Sequence, residues 1–348
     1  MRLMRKLYAG RKICTTLVSM KPLTFSILRL LSDNEFHSGA TIAQTLGVSR
    51  ASVSNALRDV DEVGLTVNRV HGRGYRLVDP VQWLEREAIL KHLGSEASNF
   101  DLEVMDSIDS TSTFLLHEAS RGINRANAGI HVVAAELQTS GRGRRGRQWY
   151  SCPGGSLVFS MLWQFQQGAS FLSGLSLAIG VAIMRTLESA GIEDAVLKWP
   201  NDVMYNLCKL AGTLIELHGD MLGPSVAVIG VGVNLKLPDN IKARIDQGVT
   251  DVYSITGKMP DRNKLLAALL IDLTAALREF ERRGFVPFKE EWMSRHLCEN
   301  RSVKLRFPDG SSQEGVVHGV ADDGSLLLQT PTGIRSYSGG EITLCRIA

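Results

Sequence analysis

The chain has 348 residues, of which 44% are hydrophobic and 22% are charged, as in soluble globular proteins with two or three domains. Its formal net charge of +3 is too small to indicate a nucleic-acid or membrane partner by itself. The five cysteines form no CxxC pair, so neither a zinc site nor a disulfide framework is indicated, and free thiols in a reducing cytoplasm are expected.

The first twenty residues carry five basic side chains and no acidic one. A targeting peptide or an arm that grips DNA would fit this charge. Terminal segments are usually loose, so we favour a disordered basic tail over 1–20.

The segment 21–79 is predicted to form a small helical unit. Apolar residues at helical spacing predict a first helix over 23–31. Two further helices, 40–46 and 50–60, follow the serine N-caps Ser38 and Ser49 and are joined by Gly47-Val48-Ser49. Two short helices joined in this way are typical of a helix-turn-helix.

A basic hairpin with the shape of a wing is predicted next, with strands at 66–70 and 75–78. The side chains predicted to face the DNA major groove are Arg50, Ser52, Ser54, Asn55 and Arg58. Those predicted to meet phosphates are Arg69, Arg73 and Arg76. The segment 21–79 has seven Lys or Arg against six Asp or Glu, so a protein-interaction module stays open as the alternative.

A domain boundary is predicted at Asp79-Pro80, because the residue before a proline is disfavoured in a helix. An α+β domain is predicted to follow over 80–299. Strand-like runs lie at 132–137, 157–163, 214–217 and 226–235, and long helices at 171–188 and 262–282. The interval 148–184 has no charged residue, yet it lacks the roughly 20 consecutive apolar residues of a membrane helix. We therefore expect no membrane partner.

The segment 300–348 has a different sequence pattern from the domain before it. Short strands at 303–307, 314–320, 325–329 and 335–337 are separated by turns rich in Pro, Asp and Gly. This spacing predicts a small β-barrel.

The most informative motif is Gly141-Arg142-Gly143-Arg144-Arg145-Gly146-Arg147, directly after a predicted strand. Its glycines let the backbone approach a ligand closely, and its arginines offer bidentate donors to phosphate or carboxylate. Arg-Gly tracts are also often disordered or bind RNA. This one is held between two predicted strands, which favours a ligand-binding loop.

Two further motifs are less specific. Lys198-Trp199-Pro200-Asn201-Asp202 precedes Lys209-Leu210-Ala211-Gly212, in which Lys209 is either a snorkelling edge residue or a fixed charge that faces a ligand. Asp109-Ser110-Thr111-Ser112 joins a strand to a helix, and a plain N-cap is its default interpretation.

These motifs contain no nucleophile–base pair, paired carboxylates, metal-ligand spacing or Walker P-loop. They supply cations and hydrogen-bond donors around glycine-rich turns. Such a site suits a reaction in which one substrate attacks a phosphate while the protein positions both and neutralises charge.

The same motifs, together with Gly230-Val231-Gly232-Val233-Asn234, which we interpret as a turn, resemble the biotin–protein ligases in order and spacing. The resemblance covers roughly 21–348 and is closest to the bifunctional bacterial form that also represses the biotin operon. It implies a multidomain α+β protein with a winged helix-turn-helix, a central ligase domain and a C-terminal SH3-like β-barrel.

The resemblance also implies residue roles. Biotin would be bound by Ser110, Thr111, Ser112, Gln138, Arg142, Gly143, Arg144 and Lys209, of which Arg142, Arg144 and Lys209 are the implied catalytic residues. The adenylate would contact Arg144, Trp149, Asn201 and Asn234. The family usually has Asn where this chain has Ser112, so a shorter hydroxyl stands in place of an amide at this contact.

The implied activity is ATP- and Mg²⁺-dependent conversion of biotin to biotinyl-AMP, then transfer of biotin to a lysine of biotin carboxyl carrier protein. Bound biotinyl-AMP would promote a homodimer that binds operator DNA in the cytoplasm. A lipoate ligase and a non-enzymatic ligand-sensing transcription factor remain the alternatives.

Overall fold

The computed structural model describes residues 20–121, 129–219 and 223–345. The predicted basic tail at 1–20 lies outside the described residues, except for Met20. The side chain of Met20 is buried in the core of the N-terminal unit.

The N-terminal unit contains the predicted helix-turn-helix and wing. Its elements are α1 Pro22–Leu30, α2 Gly39–Leu46, α3 Arg50–Ala56, β1 Val67–Val70 and β2 Gly74–Leu77, and the two strands pair antiparallel. Ser38 and Ser49 cap α2 and α3, because their hydroxyls accept from the backbone N–H groups of Thr41 and Ser52, each at 3.0 Å. The predicted N-caps are confirmed.

The predicted third helix, 50–60, is too long. The helix α3 ends at Ala56, and Val60 belongs to a separate 3₁₀ turn, Val60–Val63. Leu57 and Val60 are buried in the same core as Val53. Their spacing in the sequence therefore resembles that of one continuous helix, which is why the predicted helix was too long.

The central domain is built on a mixed sheet. Its strands are β3 Phe100–Ile108, β4 Ile130–Gln138, β5 Ser156–Phe165, β6 Val196–Lys198, β7 Asp202–Tyr205, β8 Cys208–Gly219 and β9 Ser225–Asn234. They lie in the order β3-β4-β5-β9-β8-β7-β6, with β3 and β4 parallel and the other pairs antiparallel. The predicted strand runs fall within β4, β5, β8 and β9, apart from the last residue of 226–235.

Helices cover both faces of this sheet. They are α4 Arg86–Leu93, α5 Thr111–Ser120, α6 Leu175–Ser189, α7 Asp239–Lys242, α8 Val252–Thr256, α9 Arg262–Arg283 and α10 Val286–Ser294. Val132 packs with α6 and α9, whereas the next residue, Val133, packs against Leu115 of α5, as strand alternation requires. The predicted helix 171–188 begins only at Leu175, because Gly174 at φ +80° separates it from a preceding 3₁₀ turn.

The C-terminal domain is β-rich. Its strands are β10 Ser302–Arg306, β11 Ser312–Val320, β12 Leu326–Thr330, β13 Gly333–Tyr337 and β14 Glu341–Cys345. Their order is β13-β12-β11-β10-β14, with antiparallel pairing throughout. The strand β14 was not predicted. The mixed α+β class is confirmed for the described residues.

The N-terminal unit is packed directly on the central domain. The apolar core of the helix-turn-helix also contains Trp83, which precedes α4, and Leu137, which lies on β4. The Trp83 Nε1–H donates to the Ser32 hydroxyl at 2.8 Å, and Arg29 forms an ion pair with Asp106 of β3 at 2.5 Å. The two units therefore share a core.

The connection between the two units is held by a buried ion pair, which we call the clasp. Glu136 of β4 and Arg262 of α9 are both fully buried, with 2.9 Å between Arg262 Nη2 and Glu136 Oε2. Glu136 also accepts from the backbone N–H of Leu84 at 2.6 Å, and Arg262 donates to the carbonyl of Gln82 at 2.6 Å. Asn263 accepts from the N–H of Glu85 at 2.9 Å, so the segment 82–85 is bound on several sides.

Candidate active site

All the residues predicted to bind biotin or the adenylate line one cavity, which has about 960 Å³ of empty space including its open mouth. They are Ser110, Thr111, Ser112, Gln138, Arg142, Gly143, Arg144, Trp149, Asn201, Lys209 and Asn234. The sheet brings them together, because β4, β5, β8 and β9 are neighbours although they are far apart in the sequence.

One part of the cavity is a cluster of hydroxyls at the start of α5. Ser110 is the N-cap of α5, and its hydroxyl accepts from Thr113 N–H at 3.3 Å, so the N-cap interpretation is also correct. The hydroxyls of Thr111 and Ser112 lie 2.7 and 2.9 Å from Ser160 Oγ of β5. Ser160 was not predicted, since a serine inside an apolar strand gives no sequence signal.

The arginine-glycine loop, residues 141–147, is closed by its own backbone. The N–H of Gly143 donates to the carbonyl of Arg147 at 2.7 Å, and the N–H of Trp149 donates to that of Gly141 at 2.9 Å. A Cβ at position 141 would lie 2.3 Å from the Trp149 carbonyl oxygen, so this closure requires glycine. These backbone hydrogen bonds hold the loop in one conformation, although its composition is also common in disordered tracts.

The two predicted catalytic arginines have different partners. Arg142 forms an ion pair with Glu216 of β8 and donates to the Thr113 hydroxyl at 3.2 Å. Arg144 donates to Asn201 Oδ1 at 3.0 Å and to the carbonyl of Gly340 at 3.3 Å. Burial lowers the pKa of Arg144, because removal from water disfavours its charged form.

The C-terminal domain contacts the same loop. Arg147 forms an ion pair with Glu341 at 2.6 Å, and Arg145 donates to the carbonyl of Arg306 at 2.7 Å. Glu341 also lines the cavity. These contacts were not predicted, because they join residues more than 160 positions apart.

Lys209 is a fixed charge in the cavity. Its ammonium lies 2.7 Å from Asp202 Oδ1 and 5.4 Å from the centre of the Trp149 ring, and its side chain is 14% exposed. A Cβ at Gly212 would lie 2.9 Å from Lys209 Nζ, so the glycine leaves room for the ammonium. This geometry is not that of a snorkelling edge residue. Asp202, its counter-ion, belongs to the motif 198–202, but the sequence gave it no role of its own.

The segment 230–234 is the end of β9, so its interpretation as a turn was wrong. A Cβ at Gly232 would lie 2.3 Å from Trp149 Cε2, so the indole ring rests directly on the β9 backbone. The Asn234 amide donates to the carbonyls of Lys209 and Thr250, at 3.2 and 3.1 Å. Asn234 therefore ties the end of β9 to its neighbours at the cavity wall.

Among the described residues, no group of three or more His, Cys, Asp or Glu is arranged to hold a metal ion. Asp202 and Glu341 are carboxylates that line the cavity, and both are paired with cations. Nor is any helix in the described ranges sufficiently long and apolar to cross a bilayer.

Comparison with known proteins agrees with this geometry. Residues 104–234 match the Biotin/lipoate A/B protein ligase family, 24–76 an HTH domain, and 300–344 the Biotin protein ligase C terminal domain. The bifunctional ligase/repressor BirA of Escherichia coli is 36% identical over 318 residues, which are 91% of this chain and 96% of that protein. The chain belongs to the bifunctional biotin ligase/repressor family.

Other relatives support the same family. The bifunctional ligase/repressor BirA of Bacillus spizizenii is 30% identical over 312 residues, 89% of this chain and 94% of that protein. The solved biotin protein ligase from Aquifex aeolicus in complex with biotin and ATP has a TM-score of 0.58 and 30% identity. That match covers 71% of this chain and 99% of the Aquifex chain. The biotin protein ligase fold, with an N-terminal HTH and a C-terminal β-rich domain, is thus established.

In this ligase/repressor the predicted DNA-facing side chains are only partly free. Arg50, Ser54 and Asn55 are exposed on α3, whereas Arg58 lies beyond its end. Arg69 donates to the carbonyl of Leu57, the C-cap of α3. The remaining predicted residues are Ser52, half-buried beside the N-cap, and Arg73 and Arg76, whose guanidinium groups stack on Phe36 at 4.2 and 4.8 Å.

Proposed function

We propose that this protein activates biotin with ATP and transfers it to a lysine of biotin carboxyl carrier protein. The observation that carries the proposal is one cavity that combines hydroxyls and an amide, suited to a polar ring, with Lys209, Arg142 and Arg144, suited to anions. A solved biotin protein ligase that this chain resembles, that from Aquifex aeolicus, is in complex with biotin and ATP.

In the first half-reaction, a biotin carboxylate oxygen attacks the α-phosphorus of ATP, and the bond from that phosphorus to the pyrophosphate oxygen breaks. Two anions have to approach each other, so fixed cations stabilise the transition state. Lys209 is held by Asp202, and Arg144 by Asn201, so both are preorganised. Arg142 would exchange its ion pair with Glu216 for the substrate carboxylate.

Mg²⁺ would be bound mainly through the phosphates of ATP, because Mg²⁺ keeps several waters and usually takes one or two protein carboxylates. Asp202 and Glu341 fit that limited requirement, since both line the cavity. The ion would offset charge on the departing pyrophosphate.

In the second half-reaction, the neutral amine of the acceptor lysine attacks the acyl carbon of biotinyl-AMP. The bond from that carbon to the phosphate oxygen breaks, AMP leaves with the bonding electrons, and the proton lost by the amine passes to solvent. Water would hydrolyse this mixed anhydride, so the loop 141–147 has to cover it. The contacts of Arg145 and Arg147 with the C-terminal domain support such a cover. We assign the C-terminal sheet to an SH3-like barrel, supported by register shifts after Lys304 and Val317 that bend its strands.

The repressor activity is assigned to the N-terminal unit, with Arg50, Ser54 and Asn55 towards the major groove of operator DNA. A biotinyl-AMP-promoted homodimer would present two such helices to a palindrome, which compensates for the near-neutral charge of 21–79. Cys152 and Cys208 are free thiols, as expected of a protein in a reducing compartment.

The test is biotin-dependent exchange of labelled pyrophosphate into ATP by the purified protein with Mg²⁺, with lipoate as the parallel substrate. Exchange with biotin but not with lipoate is expected. Exchange with lipoate alone would assign the protein to lipoate activation. Folded protein that exchanges with neither acid would instead be a ligand sensor.

A further inference from the structure

The motif 198–202 contains a short connection between two strands at one end of the central sheet. Strand β6 ends at Lys198 and β7 begins at Asp202, so Trp199, Pro200 and Asn201 form the whole connection. Strand β6 is the last strand in the order of the sheet. The position of the Asn201 side chain therefore depends on what holds these three residues.

Asn201 is bonded on the side of the cavity. Its Nδ2 group donates to the carbonyl of Thr213 on β8 at 2.7 Å, and the N–H of Thr213 donates to the carbonyl of Asn201 at 3.1 Å. Because the Nδ2 group is directed to Thr213, the Oδ1 atom is directed to Arg144, from which it accepts at 3.0 Å. Arg144 thus depends on Asn201 for one of its hydrogen bonds.

Trp199, two residues earlier, is bonded to the C-terminal domain. Its side chain is buried, and its Nε1–H donates to the carbonyl of Gly324 at 3.1 Å. Gly324 lies between β11 and β12, in residues 321–325, which we call the β11–β12 turn. An indole has a single polar hydrogen, so this bond fixes the direction in which the ring lies.

The β11–β12 turn is itself held in place. The Asp323 carboxylate accepts from the N–H and the hydroxyl of Ser325, both at 2.9 Å, and the Asp323 carbonyl accepts from the Ser173 hydroxyl at 2.7 Å. A Cβ at Gly324 would lie 2.5 Å from the Cα of Gly174, so the turn is packed directly on the residue before α6. The carbonyl of Gly324 is therefore a fixed acceptor.

The C-terminal domain reaches Arg144 by two routes. One is direct, from the carbonyl of Gly340 at 3.3 Å. The other runs from Gly324 through Trp199 to Asn201. A guanidinium group is preorganised for a phosphate when both of its acceptors are fixed, so each route contributes to catalysis by positioning.

We propose that Trp199 is a positioning residue for the formation of biotinyl-AMP. Its bond to Gly324 holds the connection 199–201 and, through Asn201, the guanidinium group of Arg144. The inference rests on the proposed biotin-activating function. Among the described residues, Trp199 is not one that lines the cavity, so its effect on the reaction passes through its neighbours.

The first experiment is Trp199→Phe, which removes the indole N–H and keeps an aromatic ring in the core. The rate measured is single-turnover formation of biotinyl-AMP by the full-length protein, because it separates chemistry from binding and product release. The matched control is Trp163→Phe. Trp163 is also buried, and its Nε1–H has no hydrogen-bond partner among the described residues, so the same change removes no bond.

Trp199→Phe should lower the rate at saturating biotin and ATP about tenfold, since misplacement of a group by about 1 Å can cost about 100-fold and Asn201 keeps its bonds to Thr213. The KM values for biotin and ATP should change by less than about threefold, because the bound groups remain. Trp163→Phe should react at the rate of the wild type.

A double-mutant cycle with Asn201→Ala tests the route. If Trp199 acts through Asn201, Trp199→Phe should lower the rate by no more than about twofold once Asn201 is alanine. The same tenfold loss with and without Asn201 would overturn the proposal, because the effect would then be general to the fold. A wild type that forms no biotinyl-AMP would instead remove the proposed function itself.

A change in the β11–β12 turn is the reserve if Trp199→Phe does not fold. Asp323→Ala removes the bonds to Ser325 and should lower the same rate by about threefold or more. Its matched control is Asp309→Ala, because Asp309 accepts the same two bonds from Ser311 in the turn between β10 and β11. A wild-type rate in Trp199→Phe, or in Asp323→Ala where the tryptophan variant does not fold, would overturn the proposal.

Discussion

Lys209 shows how a single charge is made useful by its neighbours. Asp202 holds its ammonium at 2.7 Å, the Trp149 ring lies below it, and the bare backbone of Gly212 leaves it space. A lysine held in this way loses little conformational entropy when a phosphate arrives, so its full charge is available in the transition state.

Lys209→Ala should lower biotin-dependent pyrophosphate exchange by about 100-fold or more, the usual cost of removing one preorganised electrostatic donor. Thermal unfolding of the variant should remain a single transition. Lys289→Ala is the matched control, because Lys289 forms a 2.7 Å pair with Asp322 away from the cavity and should retain normal exchange. Normal exchange in Lys209→Ala would remove this lysine from the chemistry.

Residue-level predictions succeeded where a motif is contiguous. The segments around Arg142 and Lys209 could be recognised because glycines and basic residues lie within a few positions of each other. Their partners did not, because Glu216 lies 74 positions from Arg142, and Glu341 lies 194 positions from Arg147. Such pairs are products of sheet order and domain packing, which local spacing does not encode.

At the scale of elements, the loop 141–147 and the strand β14 depend on each other. The spacing of apolar residues predicted α9, β5 and β9 to within a few residues, because each has a long apolar pattern.

The strand β14 was not predicted from the spacing of apolar residues. It begins after Gly340, which has φ +137°, and its first residue is the polar Glu341. A short edge strand with a functional side chain has little apolar pattern to detect.

Glu341→Gln should loosen the loop, because Arg145 and Arg147 lose their carboxylate partner. The expected result is a rise of about tenfold in the KM for ATP, in line with the loss of one charge-assisted contact. Cleavage by trypsin within the loop should also become faster. Glu314→Gln, an exposed carboxylate on β11 of the same sheet, should change neither quantity. A normal KM and an unchanged cleavage rate in Glu341→Gln would contradict the role of β14.

The segment that follows β9 is fixed by Asp251, and this gives a pH dependence. Burial opposes ionisation of Asp251, but hydrogen bonds from Lys242, Ser254 and Leu237 outweigh it and lower its pKa below 3.8. The group therefore stabilises the fold fully above its unfolded pKa, and the contribution disappears as pH falls through the folded value.

Asp251→Asn should lower the free energy of unfolding at pH 7 by about 1–3 kcal/mol, the range for hydrogen bonds to charged groups. The gap between variant and wild type should narrow below about pH 4. Urea unfolding at several pH values between 3 and 7 measures both. A gap that stays constant over this range would show that the charge of Asp251 does not contribute.

At the scale of the whole molecule, the clasp between Glu136 and Arg262 joins four parts of the chain. It binds the connecting segment 82–85, the strand β4, the start of β5 at Ser156 and the helix α9. Pro80 marked the boundary in the sequence, but it gave no sign that the connection would be buried. Burial of the link depends on Arg262, 180 positions from Gln82.

Arg262→Ala should destabilise the protein by about 3–5 kcal/mol, because it leaves the Glu136 carboxylate buried without a counter-charge. The double variant Glu136→Leu, Arg262→Met should cost much less, since an apolar pair of similar volume has no charge to desolvate. Denaturant unfolding of the three proteins tests this order. Equal losses in the single and double variants would mean that packing, not charge, holds the clasp.

The shared core and the clasp fix the direction in which each recognition helix points. In the proposed dimer, the distance and angle between the two α3 helices are then properties of the protein, and the DNA must fit them. Five base pairs added at the centre of a palindromic operator would rotate one half-site by about half a turn of the duplex. A repressor with a hinge between its domains would follow that rotation. For this protein, gel-shift experiments should show that the lengthened operator binds no more tightly than unrelated DNA.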